Sequence, residues 1–238
     1  MRLDKYLADC GEGTRSEIKK LIRQGVVRVS GIEKVLPDTK IDENTAEVFV
    51  EGRRICYKKF VYLMLNKPQG YICATQDKKQ ETVLDLVPEE YRHFDLFPAG
   101  RLDIDTVGLC LLTNDGDLAH KILSPAGHIP KTYIATVDGM LTENEVEIFA
   151  QPMDLGDFVA QPARLEIISA SNAESVAVVT IAEGKFHQIK RMFEKTGLKV
   201  VHLKRTAMNK LLLDESLGEG EMRELTDEEL ELLTYGLK

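Results

Sequence analysis

Arg101, Asp103 and Asp105 stand in the stretch AGRLDIDTVGLCLLTNDGD, residues 99–117, at the mouth of a run that reads as a buried strand. Charges in such a place are costly unless they are paired or used. At i, i+2 spacing the two aspartates share one face of an extended strand. The residues alone admit two readings. One is a carboxylate pair for chemistry at a glycosidic bond; the other is a structural aspartate that caps a turn. Two-carboxylate glycoside hydrolysis is disfavoured, because neighbours on one face cannot stand on opposite sides of a bond. His187, in EGKFHQIKRMF, invites a reading as general base or metal ligand. No other His or Cys stands at ligand spacing to it, so a structural or partner-contacting histidine is the better reading and no metal is expected.

The elements that must position these residues follow from pattern. GLCLLT is continuously apolar, and NDGD closes it with turn residues. VYLMLNKP and GYICAT read as strands on either side of a turn at Pro68-Gln69-Gly70. TYIATVDG, ARLEIIS, SVAVVTIAEG and LKVVHLKRTA are further strands, and DLAHKIL is a short helix. Thr142 and Glu145 form a capping box opening ENEVEIFAQ, and KFHQIKRMFEKTG is a helix ended by Gly197. No Gly-rich dinucleotide fingerprint and no phosphate loop occurs. Connections this short and varied point to a mostly antiparallel mixed sheet in an α+β domain.

The first fifty residues are patterned differently. RLDKYLADC reads as an amphipathic helix, and Thr14 with Glu17 forms a capping box opening a second helix, SEIKKLIRQ. That helix places Ile18, Leu21 and Ile22 on one face, and Arg15, Lys19 and Arg23 at i, i+4 spacing with Lys20 beside them. VVRVSG, KVLPDTKI and AEVFVEG read as short strands. The polar, basic EGRRICYKKF reads as the boundary, giving a small module over 1–57 and a larger domain over 58–238.

The chain has 238 residues and a net charge of −8, which seems to argue against a nucleic-acid partner. Residues 214–231, however, hold nine acids and one base, so the rest of the chain is neutral. Residues 185–210 carry eight Lys or Arg against Glu194, and residues 15–28 carry five against Glu17. Two local basic patches make an electrostatic footprint even on an acidic chain. Cys10, Cys56, Cys73 and Cys110 are scattered, without CxxC or metal spacing, and read as reduced thiols in a cytoplasmic protein. No apolar run is long enough to span a bilayer, and no secretory signal is legible at the start.

MRLDKYLADCGEGTRSEIKKLIRQGVVRVSGIEKV resembles the S4 RNA-binding module. The resemblance implies that Arg15, Lys19, Lys20, Arg23 and Arg28 contact RNA phosphates, which position a protein without reading sequence. MLNKPQGY, PAGRLDIDTVGLCLLTNDGDLAHKILSP, KTYIATV and EGKFHQIKRMF occur in that order. Together they resemble the pseudouridine synthases that modify small-subunit ribosomal RNA, and their large-subunit relatives, over essentially the whole chain. Cys110 stands where an aliphatic residue is usual, a harmless change in a buried strand.

The resemblance implies a pseudouridine synthase fold and isomerisation of a specific uridine, with base flipping and no cofactor. Asp103 is the implied nucleophile, forming a covalent or an ion-pair intermediate. Lys190, of the HQ-x-[RK] motif, is its implied cationic partner, because a buried carboxylate stays ionised beside a cation. Tyr133 is the implied active-site tyrosine, stacking on the uracil and placed to accept the C5 proton. The resemblance implies that Arg101 fills the space left by the flipped nucleotide, and Asp105 is expected to hold the Arg101 loop or bond backbone amides. Lys67, Lys185, Gln188, Arg191, Lys204 and Arg205 complete the expected RNA-binding set. The local spelling favours 16S ribosomal RNA, free or in a partly assembled small-subunit particle, and a monomeric enzyme. A 23S-specific relative and a noncatalytic S4-type RNA-binding protein are the alternatives.

Overall fold

The computed structural model describes residues 1–124, 127 and 129–237. It divides into two units, Met1–Val61 with Val87–Asp95, and Tyr62–Leu86 with Leu96–Lys238. In the first unit, α1 (Leu3–Asp9) buries Leu3, Tyr6 and Leu7 against Ile18 and Ile22 of α2 (Arg15–Arg23). The Thr14–Glu17 capping box forms: Glu17 Oε2 accepts from the Thr14 amide at 2.8 Å, and Thr14 Oγ1 from the Glu17 amide at 3.3 Å. With the apolar face inward, Arg15, Lys19, Lys20 and Arg23 are all exposed.

Strands β1 (Val27–Val29), β2 (Val48–Val50) and β3 (Arg53–Ile55) make a three-stranded antiparallel sheet. β3 lies inside the segment read as a boundary. Glu51 and Gly52 both have positive φ, the geometry of a two-residue hairpin, and Val50 pairs directly with Arg53. KVLPDTKI forms no strand. Its only pairing is an isolated bridge from Lys40 to Arg2, as expected for a stretch interrupted by Pro37.

The second unit is built on one large sheet. Its strands are β4 (Tyr62–Lys67), β5 (Phe97–Pro98), β6 (Val107–Thr113), β7 (Lys131–Asp138), β10 (Arg164–Ser169), β11 (Glu174–Ile181), β12 (Lys199–Met208), β13 (Leu211–Leu212) and β14 (Met222–Glu224). The order is β10-β11-β7-β12-β6-β4-β14, with β13 on β12 and β5 on β6. Among the described residues only β12 and β6 run parallel, so the sheet is mixed and mostly antiparallel, as the short connections imply. Strands β8 (Met153–Asp154) and β9 (Val159–Ala160) form a separate hairpin. The helices are α3 (Gly116–Leu123), α4 (Glu143–Phe149), α5 (Gln188–Lys195) and α6 (Asp227–Thr234). GYICAT is not a strand; it carries a single bridge, Ile72 to Thr82.

The parallel join depends on Gly108. Its φ is +95°, and a Cβ there would stand 2.3 Å from the carbonyl oxygen of Arg205. Only glycine lets β6 approach β12 this closely. The acid-rich stretch 214–231 contributes structure as well as charge. β14 pairs with β4, a third capping box (Thr226 with Glu229) opens α6, and Arg223 bridges Asp214 and Glu229. Among the described residues no helix is long and apolar enough to cross a membrane.

Candidate active site

The segment from Ala99 to Thr106 leaves β5 and enters β6, and it carries Asp103 at its turn. It is held from three sides. The Thr106 amide donates to the Asp103 carbonyl at 3.1 Å, closing the turn. The Leu102 amide donates to Cys73 Sγ at 3.3 Å. Lys67, the last residue of β4, donates from its ammonium to the carbonyls of Thr106 at 2.9 Å, Asp103 at 3.2 Å and Pro68 at 3.1 Å. Lys67 is wholly buried, and burial pulls its pKa below the usual lysine value. Asp103 and Asp105 therefore sit on a pinned loop rather than on the strand that their alternation suggested.

Helix α5 brings the cation. Ile189, Met192 and Phe193 are buried, and the Phe193 ring lies 4.7 Å from Phe149, which seats the helix. Lys190 then reaches the loop: its Nζ lies 2.9 Å from Asp103 Oδ2 and 2.5 Å from Asp105 Oδ1. Burial alone would lower the Lys190 pKa, but the bonds to Asp105 and Asp103 outweigh it and raise the value. Burial likewise works to raise Asp105, and the ammonium overrides it, holding this carboxyl below its ordinary value. Asp105 is expected to hold the Arg101 loop or bond backbone amides; beyond that expectation, it shares Lys190 with Asp103. The reason is one of reach, since a turn brings both carboxylates to the same ammonium.

These groups open onto a cleft with an open volume of about 400 Å³, whose lining includes Arg101, Asp103, Tyr133, Lys185, His187 and Lys190. Tyr133 projects from β7 and is 6 % exposed. His187 precedes α5 with φ +50°, and its Nε2 lies 3.6 Å from Asp103 Oδ1. Among the described residues no group of three His, Cys, Asp or Glu is placed to hold a metal ion. An anionic carboxylate beside an ammonium and an aromatic wall can attack an electron-poor carbon and grip a planar ring.

The structure corrects several of the expected RNA contacts. Lys67 cannot meet phosphates, because its ammonium is spent on loop carbonyls below the cleft. Arg205 is 2 % exposed; its Nε donates to the Leu109 carbonyl at 2.7 Å, and Nη2 finds no partner. Its burial was readable from alternation, since Leu203, Arg205 and Ala207 share the inward face of β12. Gln188 is buried too, and it braces its own loop: Nε2 donates to Glu183 at 2.9 Å, and Oε1 accepts from the Lys185 amide at 3.1 Å. Arg191 is committed to the β8–β9 hairpin, pairing with Asp157, bonding the Leu155 carbonyl and lying 4.9 Å from the Phe158 ring centroid. Arg101 and Lys185 are exposed at the cleft, and Lys204 is half-buried. In the first unit Arg28 is exposed, 5.7 Å over the Phe49 ring.

Two supports escaped the sequence reading. Cys73 and Cys110, distant in sequence, meet with their sulfurs 3.9 Å apart beneath the loop. The contact with Cys110 draws the Cys73 thiol below its ordinary value against the opposing effect of burial. Cys110 is thus a partner as well as filler. Lys131, two residues before Tyr133 on the same face of β7, is buried, and burial pulls it down to about 8.

Residues 61–195 match the model of the RNA pseudouridylate synthase family, and residues 1–45 match the S4 domain. An uncharacterized RNA pseudouridine synthase of Bacillus subtilis (strain 168) is 45% identical over 236 residues, 98% of each chain. The ribosomal small subunit pseudouridine synthase A of Haemophilus influenzae is 40% identical over 242 residues, covering 98% of this chain and 99% of its own. A crystal structure of a pseudouridylate synthase superposes with a TM-score of 0.68 at 38% identity, covering 98% of this chain and 99% of that one.

Proposed function

The chain belongs to the RNA pseudouridine synthase family and carries an S4 domain, and from that premise we propose that it isomerises a specific uridine of small-subunit (16S) ribosomal RNA with Asp103 as nucleophile. The observation that carries the chemistry is the Asp103–Lys190 pair, 2.9 Å apart at a cleft lined by Tyr133. The observation that favours the substrate is likeness, over nearly the full length of both chains, to small-subunit enzymes.

In this reading the target uridine leaves its stack and enters the cleft, a step that costs a few kcal/mol. Arg101, exposed at the cleft, occupies the vacated position. The uracil packs against Tyr133. Asp103 stabilises C1′ as the N1–C1′ bond breaks, through a covalent adduct or an ion pair. The uracil turns, and C5 bonds to C1′ as the Asp103 carboxylate leaves it, by cleavage of the adduct or separation of the ion pair. The C5 proton leaves through the Tyr133 oxygen, while N1 ends protonated, so atoms and charge balance without a redox step. Lys190, 2.9 Å from Asp103 Oδ2, fixes the orientation of the carboxylate.

The test is pseudouridine formation by the purified protein in unmodified small-subunit and large-subunit ribosomal RNAs, each free and within partly assembled particles. Conversion of one uridine in the small-subunit RNA is expected. Conversion confined to large-subunit RNA would overturn the substrate assignment, and binding without conversion of either would overturn the activity.

A further inference from the structure

Phe186 is 72 % exposed, the most exposed large apolar side chain among the described residues. Its ring stacks on His187, with centroids 3.8 Å apart and planes at 16°. The other end of that stack is the active site, since His187 Nε2 lies 3.6 Å from Asp103 Oδ1. Phe186, His187 and Asp103 thus form one continuous series from solvent to the cleft.

The loop that presents the ring is built rather than loose. Glu183 Oε1 accepts from Gln188 Nε2 at 2.9 Å and from the Gln161 amide at 2.9 Å, and the Lys185 amide donates to Gln188 Oε1 at 3.1 Å. His187 holds a left-handed backbone, φ +50° and ψ 29°, without a side-chain bond capping α5. Such a backbone is uncommon in a non-glycine residue and collects at functional positions. Here it turns the two rings into register. The flanking residues, Gly184 and Lys185, are exposed and offer no apolar patch for a protein partner. An exposed flat π-face, next in the chain to Lys185 and stacked on His187, both of which line the cleft, is the kind of surface that single-stranded nucleic acid uses.

We propose that Phe186 is a positioning residue that stacks on the nucleobase next to the target uridine, extending the Phe186–His187 stack onto the RNA. The proposal rests on the reading of this cleft as a site for an RNA uridine. It assigns Phe186 to grip and register, leaving bond-making to Asp103.

The experiment uses the full chain and a short single-stranded RNA with one uridine flanked on both sides by 2-aminopurine, whose fluorescence falls on stacking. The wild type should quench the probe. Phe186→Ala should abolish quenching and weaken binding about tenfold, equivalent to about 1.4 kcal/mol. Phe186→Leu should behave like Phe186→Ala, because it keeps apolar volume without a π-face, and Phe186→Trp should restore both signals. On ribosomal RNA, Phe186→Ala should raise KM while the single-turnover rate at saturation stays within about threefold. Absence of quenching by the wild type, equal quenching by wild type and Phe186→Ala, or full function of Phe186→Leu would each overturn the proposal. A wild type that quenches but isomerises no ribosomal uridine would overturn the functional reading and leave the stacking result standing.

Discussion

The ammonium of Lys67 donates to the backbone carbonyl of Asp103 at 3.2 Å, so the carboxylate is presented by a loop hung on the last residue of β4. The same ammonium reaches the Thr106 carbonyl at 2.9 Å and clasps both ends of the turn. A lysine read from sequence as a phosphate contact is an internal strut. Replacing it by methionine keeps length and removes the donors. Lys67→Met should lower turnover by about 10–100-fold, the cost of a reacting group displaced by about 1 Å. Binding to ribosomal RNA, and the salt dependence of that binding, should not change, because a buried ammonium releases no counterions. Titrations at several salt concentrations, with rates measured at saturation, check both.

Asp103→Asn preserves shape and removes the nucleophilic charge. Pseudouridine formation should fall by roughly 10⁴-fold or more, with RNA affinity retained. Asp105→Asn should cost about tenfold or less, because Lys190 keeps its 2.9 Å contact with Asp103. Near-normal turnover by Asp103→Asn would remove it from the nucleophile's role.

Lys190→Met strips the shared cation from two facing carboxylates. Asp105 then loses the ammonium that holds it below its ordinary value. With the ammonium gone, only the raising effect of burial is left on the Asp105 carboxyl, which then takes up a proton more readily. The sign follows: the acid limb of kcat/KM moves to higher pH in the variant, and the rate deficit is largest at low pH. A pH–rate profile parallel to the wild type at all pH values would reject the coupling.

Gly108→Ala places a methyl group on a backbone carbonyl and forces φ +95° on an L-residue. The strain and the overpacking together should cost about 2–5 kcal/mol. Denaturant unfolding measures it. The neighbouring Leu109→Ala should also destabilise, by creating a cavity, but it leaves the β6–β12 approach intact.

Arg15, Lys19 and Arg23 line the exposed side of α2 in the first unit, whereas Asp103, Tyr133 and Lys190 belong to the second. Their combined replacement by serine should weaken ribosomal RNA binding. Each lost phosphate contact should flatten the log–log salt slope by roughly 0.7 to 0.9. Single-turnover rates at saturating RNA should stay nearly unchanged; normal binding with slow reaction would assign α2 to catalysis instead.

Local chemistry made much of this protein legible from sequence. The Thr14–Glu17 and Thr142–Glu145 capping boxes lie within single turns, and the alternation in β7 and β11 exposes their inward faces, because such signals depend only on near neighbours. The family motifs likewise pointed to Asp103, Tyr133 and Lys190, which the fold brings to one cleft. What tertiary structure decided is where each charge goes. Arg205, Gln188 and Arg191 lie in a basic stretch and Lys67 closes an apolar one, yet each bonds groups distant from it in sequence or braces its own loop. Lys190 finds both Asp103 and Asp105 only because Ile189, Met192 and Phe193 seat α5. The meeting of Cys73 with Cys110 requires the loop after β4 to fold back over β6. A long polar side chain can reach solvent or a buried carbonyl equally well, and only the packed backbone determines which unpaired group lies within its reach.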